Sequence, residues 1–287
     1  MMPPELRRIG DLRQNKRMRK GMFILPSLFT AMNIGAGYVA IAQTLQAVAT
    51  GDASRFDLAS KFIGVAVFFD GMDGLIARMT NTASEFGKQL DSLADVITFG
   101  VAPALLAFAW GVHQVDAPFG NADFHLKFTQ AGAFVTFLFL FAGASRLARF
   151  NIQSNPQPSN PGRLGRKYFV GMAIPAGAGV IASVVHFFGG EPIRRWDFAV
   201  GWLVLIFVTG FLMVSTWRFY NPKNIDWKKQ RPFTTVLLLG TLIFLIYAFS
   251  RWVLLLMAMT YMFYGIIFRL AYLIRRKSQA SAEAAQQ

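Results

Sequence analysis

The sequence predicts an all-α integral membrane protein with about eight transmembrane helices. Of its 287 residues, 54% are hydrophobic and only 15% are charged, and the mean hydropathy is +0.40. Apolar stretches of about twenty residues, long enough to cross a bilayer as a helix, recur between short polar or basic stretches. This composition is too apolar for a soluble domain. Because the chain has no cysteine, disulfides, thiol nucleophiles and thiolate metal sites are excluded.

The order of apolar and polar stretches predicts where each helix lies. The expected spans cover residues 22–49, 56–79, 88–111, 128–150, 168–188, 198–216, 233–249 and 251–272. A short polar turn, 80–84, separates the second span from the third, and Gly100 and Pro103 are expected to bend the third. A loop rich in Pro, Asn, Gly and Arg, 152–167, separates the fourth span from the fifth. The last two spans meet near Ser250.

These spans divide the chain into four parts. A basic leader, 1–21, precedes a membrane core of six spans, 22–216. A basic loop and an additional C-terminal pair of spans occupy 217–274, and a polar tail covers 275–287. The sequence shows no separate soluble domain and no clear internal repeat.

The charge distribution predicts the orientation in the membrane. The net charge of +14 could indicate nucleic acid as a partner, but the basic residues lie between apolar spans rather than on a soluble domain. Most of the 29 lysines and arginines fall in the leader and in alternate connecting segments, as the positive-inside rule requires for a chain with both termini in the cytoplasm. We therefore expect a cytoplasmic (inner) membrane protein that faces anionic lipids and does not bind nucleic acid.

Four aspartates lie close together in an otherwise apolar stretch: Asp70, Asp73, Asp91 and Asp95. The first two are three residues apart and the last two are four apart, so each pair shares one face of a helix. The turn 80–84 lets the two helices fold back with all four carboxylates facing one another. Gly71, Gly74 and Gly87 let a bulky group approach the backbone closely.

Converging carboxylates in an apolar setting predict a metal site. Unpaired buried charges are costly, and ligands that are all oxygen favour Mg²⁺ or Mn²⁺ over zinc. Such ions commonly hold the phosphates of a substrate, and Arg78 adds a cation suited to a phosphate oxygen. The alternatives are a charged helical hairpin, paired through Arg78 and Lys88, or a cation pathway.

Three polar residues in other spans each admit two interpretations. Asn33, inside the first span, is either a substrate contact or one half of a hydrogen bond between helices. Arg146 and Arg149 end the fourth span and share one face of it. They are either ordinary flanking cations of the inner side or a clasp for a phosphate or carboxylate.

The acidic stretch resembles the CDP-alcohol phosphatidyltransferases. Their signature, D-x2-D-G-x2-A-R-x8-G-x3-D-x3-D, is matched without departure by Asp70, Asp73, Gly74, Ala77, Arg78, Gly87, Asp91 and Asp95. The resemblance implies a six-helix core around a polar cavity open to the cytoplasm, usually in a homodimer. The last two spans would then be an addition to that core.

The resemblance also implies a role for each position of the signature. Two divalent ions, Mg²⁺ or Mn²⁺, would be held against the diphosphate of a CDP-linked lipid, with Asp70 and Asp91 bridging both, Asp73 binding one and Asp95 the other. Asp95 would in addition be the catalytic base for the acceptor hydroxyl. The CDP-lipid would be bound by Pro26, Ser27, Asn33, Gly74, Ala77, Arg78, Ser84 and Gly87.

Further stretches are similar to the membrane-bound branch of this family that transfers the phosphatidyl group from CDP-diacylglycerol to L-serine. They are LPSLFTAMNIGAGYVAI in the first span, SEFGKQLDSLADVITFGVAPA across the third and RLARFN at the end of the fourth. Thr98 stands where that branch typically shows serine. The implied contacts with the acceptor serine are Arg146 or Arg149 for its carboxylate, and Glu85, Lys88 and Asn151 around its other groups. We expect phosphatidylserine and CMP as products, by direct attack.

Two other functions remain open from sequence. A sister enzyme that uses glycerol 3-phosphate or an inositol phosphate would need more cations for the extra phosphate. A cation transporter that is not an enzyme would also place aspartates in a membrane, but it would have no use for Arg78 or for the glycine spacing.

Overall fold

The computed structural model describes residues 28–80, 85–116, 122–154, 168–220 and 232–284, and these are almost entirely helical. The α-helices are α1 Leu28–Thr50, α2 Ala53–Thr80, α3 Glu85–Asp95, α4 Ala102–Gly111, α5 Ala122–Ser154, α6 Ile174–Phe187, α7 Trp196–Val214 and α8 Pro232–Ala284. Two short strands, β1 Tyr168–Val170 and β2 Arg218–Tyr220, pair antiparallel. The last helix extends into the segment predicted as a polar tail.

The predicted all-α membrane architecture is confirmed. Five helical segments are long and apolar enough to cross a bilayer: Leu28–Thr50, Phe86–Gly111, Asp123–Ile152, Trp196–Val214 and Val236–Arg269. The apolar helix α6, with 14 residues, is shorter, and α2 carries several charged residues along its 28. Large side chains such as Phe207 and Phe211 on α7 point outward, as expected of surfaces that contact lipid tails. The predicted number of eight spans stays a prediction.

The third span changes its helical form where a bend was expected. Residues Val96–Val101 form a π-helix between α3 and α4. The amide of Ala102 donates to the carbonyl of Ile97, five residues earlier. Pro103 lies in the first turn of α4 and has no amide hydrogen to donate. The π-helix therefore ends just before this proline, where the α-helix α4 begins. Gly100 is fully buried within this segment.

Helices α5 and α6 differ in extent from the spans predicted at about 128–150 and at 168–188. Helix α5 continues to Ser154, into the predicted loop, and α6 begins only at Ile174. Between them Gly171 has a positive φ of 78° and lies against the carbonyl of Met213, where a Cβ would come within 2.4 Å of the oxygen. The chain before this glycine is extended, because β1 pairs with β2, and the extended segment ends at Gly171. Pro175 then starts the helix.

A group of paired polar side chains around the buried His186, which we call the anchor cluster, joins α2, α6 and α8. His186 Nδ1 is 2.6 Å from Asp57 Oδ1, and His186 Nε2 is 2.9 Å from Ser250 Oγ. The second carboxylate oxygen of Asp57 is 2.8 Å from Lys61 Nζ. Ser250 follows Phe249, whose φ of −134° and ψ of 41° interrupt α8 next to the predicted junction of the last two spans. The anchor cluster therefore attaches the C-terminal helix to the core at its kink.

Candidate active site

Three of the four aspartates converge in space, as their spacing predicts. Asp70 comes from α2, and Asp91 and Asp95 come from one face of α3. Each offers one carboxylate oxygen, and these three oxygens lie within 4.8 Å of one another. We call these three residues the acidic cluster. The side chain of Asp73 lies outside the described residues, so its place in the cluster stays a prediction.

The acidic cluster has the character of a cation site. The side chain of Asp95 is 8% exposed, and its Oδ1 has no hydrogen-bond partner among the described residues. Asp95 also lies within electrostatic range of Asp70, Asp91 and Arg146. A buried carboxylate oxygen without a donor, beside two further carboxylates, is unfavourable unless a cation compensates it. The donor set is all oxygen, which fits Mg²⁺ or Mn²⁺.

Helix α1 contacts the π-helix just beyond Asp95 through Asn33. The hydroxyl of Thr98, one turn beyond Asp95, donates to the backbone carbonyl of Asn33 at 3.2 Å. Gly37 permits this approach, since a Cβ there would lie 2.5 Å from Thr98 Oγ1. The side chain of Asn33 is 1% exposed, yet neither its oxygen nor its nitrogen has a partner in the described part of the chain. An unsatisfied buried amide next to a candidate site favours the substrate-contact interpretation over a bond between helices.

The two arginines at the end of α5 have different surroundings. Arg146 is 8% exposed, and its Nε has no partner within the described ranges. Its guanidinium lies 5.7 Å from the centroid of the Phe150 ring and within electrostatic range of Asp95 and Asp70. Arg149 instead donates to the carbonyl of Val214 at 2.8 Å and so binds the C-terminal end of α7. The structure thus separates a cation beside the carboxylates from a cation that joins two helices.

The remaining predicted contacts fall into three groups. Asn151 donates to the hydroxyl of Ser92 at 2.8 Å, which ties the end of α5 to α3 next to Asp91. Gly87 is half-buried and Lys88 is exposed on the first turn of α3. The side chains of Ala77, Arg78, Ser84 and Glu85, together with Pro26, Ser27 and Gly74, lie outside the described residues.

One residue that interacts with Arg146 has no counterpart in the sequence analysis. Tyr261, on α8, lies within electrostatic range of Arg146 and is only partly exposed. Its ring centroid is 5.7 Å from that of the buried Phe219. No motif surrounds Tyr261 in the sequence, and its only signal was a hydroxyl within an apolar span.

The sequence of this chain matches a known protein family. Residues 23–207 match the family model for CDP-alcohol phosphatidyltransferase.

The chain belongs to the CDP-alcohol phosphatidyltransferase family.

Relatives within this family share a common name. A protein of Helicobacter pylori strain J99, named CDP-diacylglycerol–serine O-phosphatidyltransferase, is 34% identical over 252 residues, which cover 81% of this chain and 92% of that protein. Proteins with the same name from Saccharomyces cerevisiae and Methanocaldococcus jannaschii are also similar. The yeast protein is 32% identical, covering 55% of this chain and 51% of its own. The archaeal protein is 33% identical, covering 53% and 59%. The predicted family membership is confirmed.

Proposed function

We propose that this chain transfers the phosphatidyl group from CDP-diacylglycerol to the hydroxyl of L-serine, forming phosphatidylserine and releasing CMP. The observation that carries the proposal is the unpartnered Asp95 oxygen, in a carboxylate that lies close to two others and within electrostatic range of the buried Arg146. The named relatives supply the substrate pair. A sister enzyme with a phosphorylated acceptor would need further cations at this point, and Arg149, the neighbouring arginine, is bonded to Val214 instead.

The proposed reaction is a direct displacement at phosphorus. The serine hydroxyl oxygen forms a bond to the phosphorus that carries diacylglycerol. The bond from that phosphorus to the bridging oxygen of the diphosphate breaks, and CMP leaves with the electron pair. The hydroxyl proton passes to the carboxylate of Asp95, because an alcohol is a weak nucleophile at neutral pH and needs a positioned base. No covalent enzyme intermediate is required.

The acidic cluster would hold divalent ions, which we propose to be two Mg²⁺ or Mn²⁺. Asp70, Asp91 and Asp95 would provide oxygen ligands, joined by Asp73 according to the family signature. Bound there, the ions would neutralise the diphosphate charge and stabilise CMP as the leaving group.

Other residues would position the substrates. Asn33, buried and unsatisfied beside Thr98, would offer its amide to the CDP-lipid. The glycine spacing of the signature, with Arg78, would admit the nucleotide and bind its phosphates. Arg146 would bind the carboxylate of serine, because it is the buried cation next to the proposed base.

We place the site on the cytoplasmic side of the inner membrane, with both termini in the cytoplasm. The support is the bias of lysine and arginine toward the leader and alternate connecting segments. A homodimer, implied by the family resemblance, stays a prediction.

The proposal is tested with the purified protein in detergent or nanodiscs. CDP-diacylglycerol, Mn²⁺ or Mg²⁺ and labelled L-serine should yield labelled phosphatidylserine and an equal amount of CMP. Glycerol 3-phosphate and inositol phosphate serve as competing acceptors in parallel reactions. Higher CMP release with either of them than with serine would reject the proposed acceptor, and metal flux in proteoliposomes without CMP release would reject the enzyme.

A further inference from the structure

Helix α8 packs into the core along one defined face. Met262 is 3% exposed, and its sulfur accepts from the hydroxyl of Thr209 on α7 at 3.9 Å. One turn on, Gly265 lies against the buried Phe219, where a Cβ would come within 2.2 Å of the ring. A larger residue at Gly265 would displace that ring, so α8 and β2 can pack this closely only because residue 265 is glycine. These contacts fix the side of α8 that faces the protein.

Tyr261 lies on this face, in the turn that precedes Gly265. Its ring is 5.7 Å from the Phe219 ring, so packing as well as the helix backbone limits where its hydroxyl can lie. That hydroxyl lies within electrostatic range of the Arg146 guanidinium. Arg146 is itself buried, with an unpartnered Nε, and lies near Asp95. Arg146 on α5 therefore has the proposed base and a phenolic hydroxyl from α8 both within electrostatic range.

The chemistry of these groups selects a class of ligand. A guanidinium and a phenolic hydroxyl can both donate to an anion, and the guanidinium geometry suits a carboxylate. In an amino acid acceptor such as serine, the carboxylate and the hydroxymethyl group are bonded to the same carbon. When the hydroxyl is within reach of Asp95, the carboxylate must therefore lie close by, where Arg146 is found.

We propose that Tyr261 is a specificity-determining residue that binds the acceptor carboxylate together with Arg146, so that the C-terminal helix completes the acceptor site. This inference rests on the proposed function. It assigns a role to a helix that, from sequence, is an addition to the six-helix core.

Tyr261→Phe tests the proposal, because it removes the hydroxyl and keeps the ring against Phe219. We expect the KM for serine to rise about tenfold, the lower end for loss of one hydrogen bond to a charged group. The KM for CDP-diacylglycerol and the thermal unfolding midpoint should not change. Tyr264→Phe is the matched control, since Tyr264 is 41% exposed on the same helix, and it should leave both constants unchanged.

Two further measurements identify the group that is bound. L-Alanine, which has the carboxylate but no hydroxyl, should compete with serine in the native protein and about tenfold more weakly in Tyr261→Phe. If Arg146 and Tyr261 hold one carboxylate, the double variant with Arg146→Gln should lose less serine affinity than the product of the two single losses.

Each outcome decides between the possibilities. An unchanged KM for serine in Tyr261→Phe, with an active native protein, would overturn this inference and leave the proposed function intact. An equal rise in both KM values would assign Tyr261 to phosphate binding and likewise overturn it. If the native protein released no CMP with serine, the proposed function would fail and the inference with it.

Discussion

Helix α2 contributes to two polar clusters, through Asp57 near its start and Asp70 in its second half, and the two clusters differ in how completely their atoms are paired. Asp57 in the anchor cluster and Asp70 in the acidic cluster are separated by about 20 Å along the helix. In the anchor cluster, both oxygens of Asp57 and both ring nitrogens of His186 have partners. In the acidic cluster, Asp95 Oδ1 has no partner within the described ranges, and neither has Nε of the nearby Arg146.

The difference separates groups that stabilise the fold from groups that are available to a ligand. A buried polar group normally finds a partner within the protein, because leaving it unsatisfied costs about 1–3 kcal/mol. The anchor cluster follows this rule and joins three helices. The acidic cluster departs from it at Asp95, and the nearby Arg146 on α5 departs from it as well, which is the pattern expected where substrate or metal completes the bonding. Substitutions in the two clusters should therefore affect different properties of the protein.

The largest expected effect follows from removal of metal or of a bridging ligand. Excess chelator should abolish CMP release, and added Mn²⁺ or Mg²⁺ should restore it. Asp91→Ala should be at least as damaging as Asp73→Ala, because Asp91 is proposed to contact both ions. The matched control is Asp57→Asn, at the other end of α2, which should retain metal-dependent activity. Full turnover in excess chelator would contradict the metal site.

Asp95→Asn should separate binding from chemistry. The amide keeps the shape and one oxygen but cannot accept the proton, so we expect turnover to fall by about two orders of magnitude or more. Binding of the CDP-lipid, measured by equilibrium titration, should persist. Loss of lipid binding would show instead that Asp95 acts mainly through the structure of the site.

Arg146→Gln should raise the KM for serine about ten- to hundredfold, the range for a lost charge-assisted bond. The KM for CDP-diacylglycerol should change much less, and the poor rate with ethanolamine, which lacks the carboxylate, should hardly change. Arg149→Gln is the natural comparison, because that arginine is bonded to the Val214 carbonyl. It should lower thermal stability slightly and leave the serine KM alone. Equal loss with both substrates in Arg146→Gln would mean that this residue binds phosphate.

His186→Ala should weaken the fold rather than the chemistry. The substitution leaves Asp57 to Lys61 alone and removes the hydrogen-bond partner of Ser250, at a cost of about 1–3 kcal/mol. The unfolding midpoint in detergent should fall by roughly 2–12 °C at this chain length. KM values of the folded protein should match those of the native chain. A selective change in the serine KM would show that the two clusters are coupled through α2.

The smallest expected effect concerns Asn151, which the sequence associates with acceptor binding and the structure bonds to Ser92. If its role is to hold α5 against α3, Ser92→Ala and Asn151→Ala should cause the same loss of about 1 kcal/mol in stability. If Asn151 also contacts serine, only Asn151→Ala should raise the serine KM. Parallel kinetics and thermal melts of the two variants distinguish these cases.

The acidic cluster could be predicted from sequence because its geometry is local. A spacing of four residues places Asp91 and Asp95 on one face of α3 whatever surrounds them, and only four residues separate α2 from α3 in the chain. The π-helix Val96–Val101 lies where the sequence predicts a bend, next to a proline that cannot donate the hydrogen bond a regular helix needs. The bend itself stays a prediction. The start of α6 was not predictable, because it depends on Gly171 contacting Met213, more than forty residues away in the chain.

By itself, the sequence determined the membrane class, the family and the carboxylates, because hydropathy, motif spacing and helical period all act over short distances. Only the tertiary structure decided which arginine faces the carboxylates and which one binds a helix end. It also decided that Tyr261 of the C-terminal helix comes close to Arg146 of α5. These outcomes depend on how helices far apart in the chain pack together. Close contacts of Gly37 and Gly265 set that packing. The sequence around either glycine does not show which distant residue it contacts.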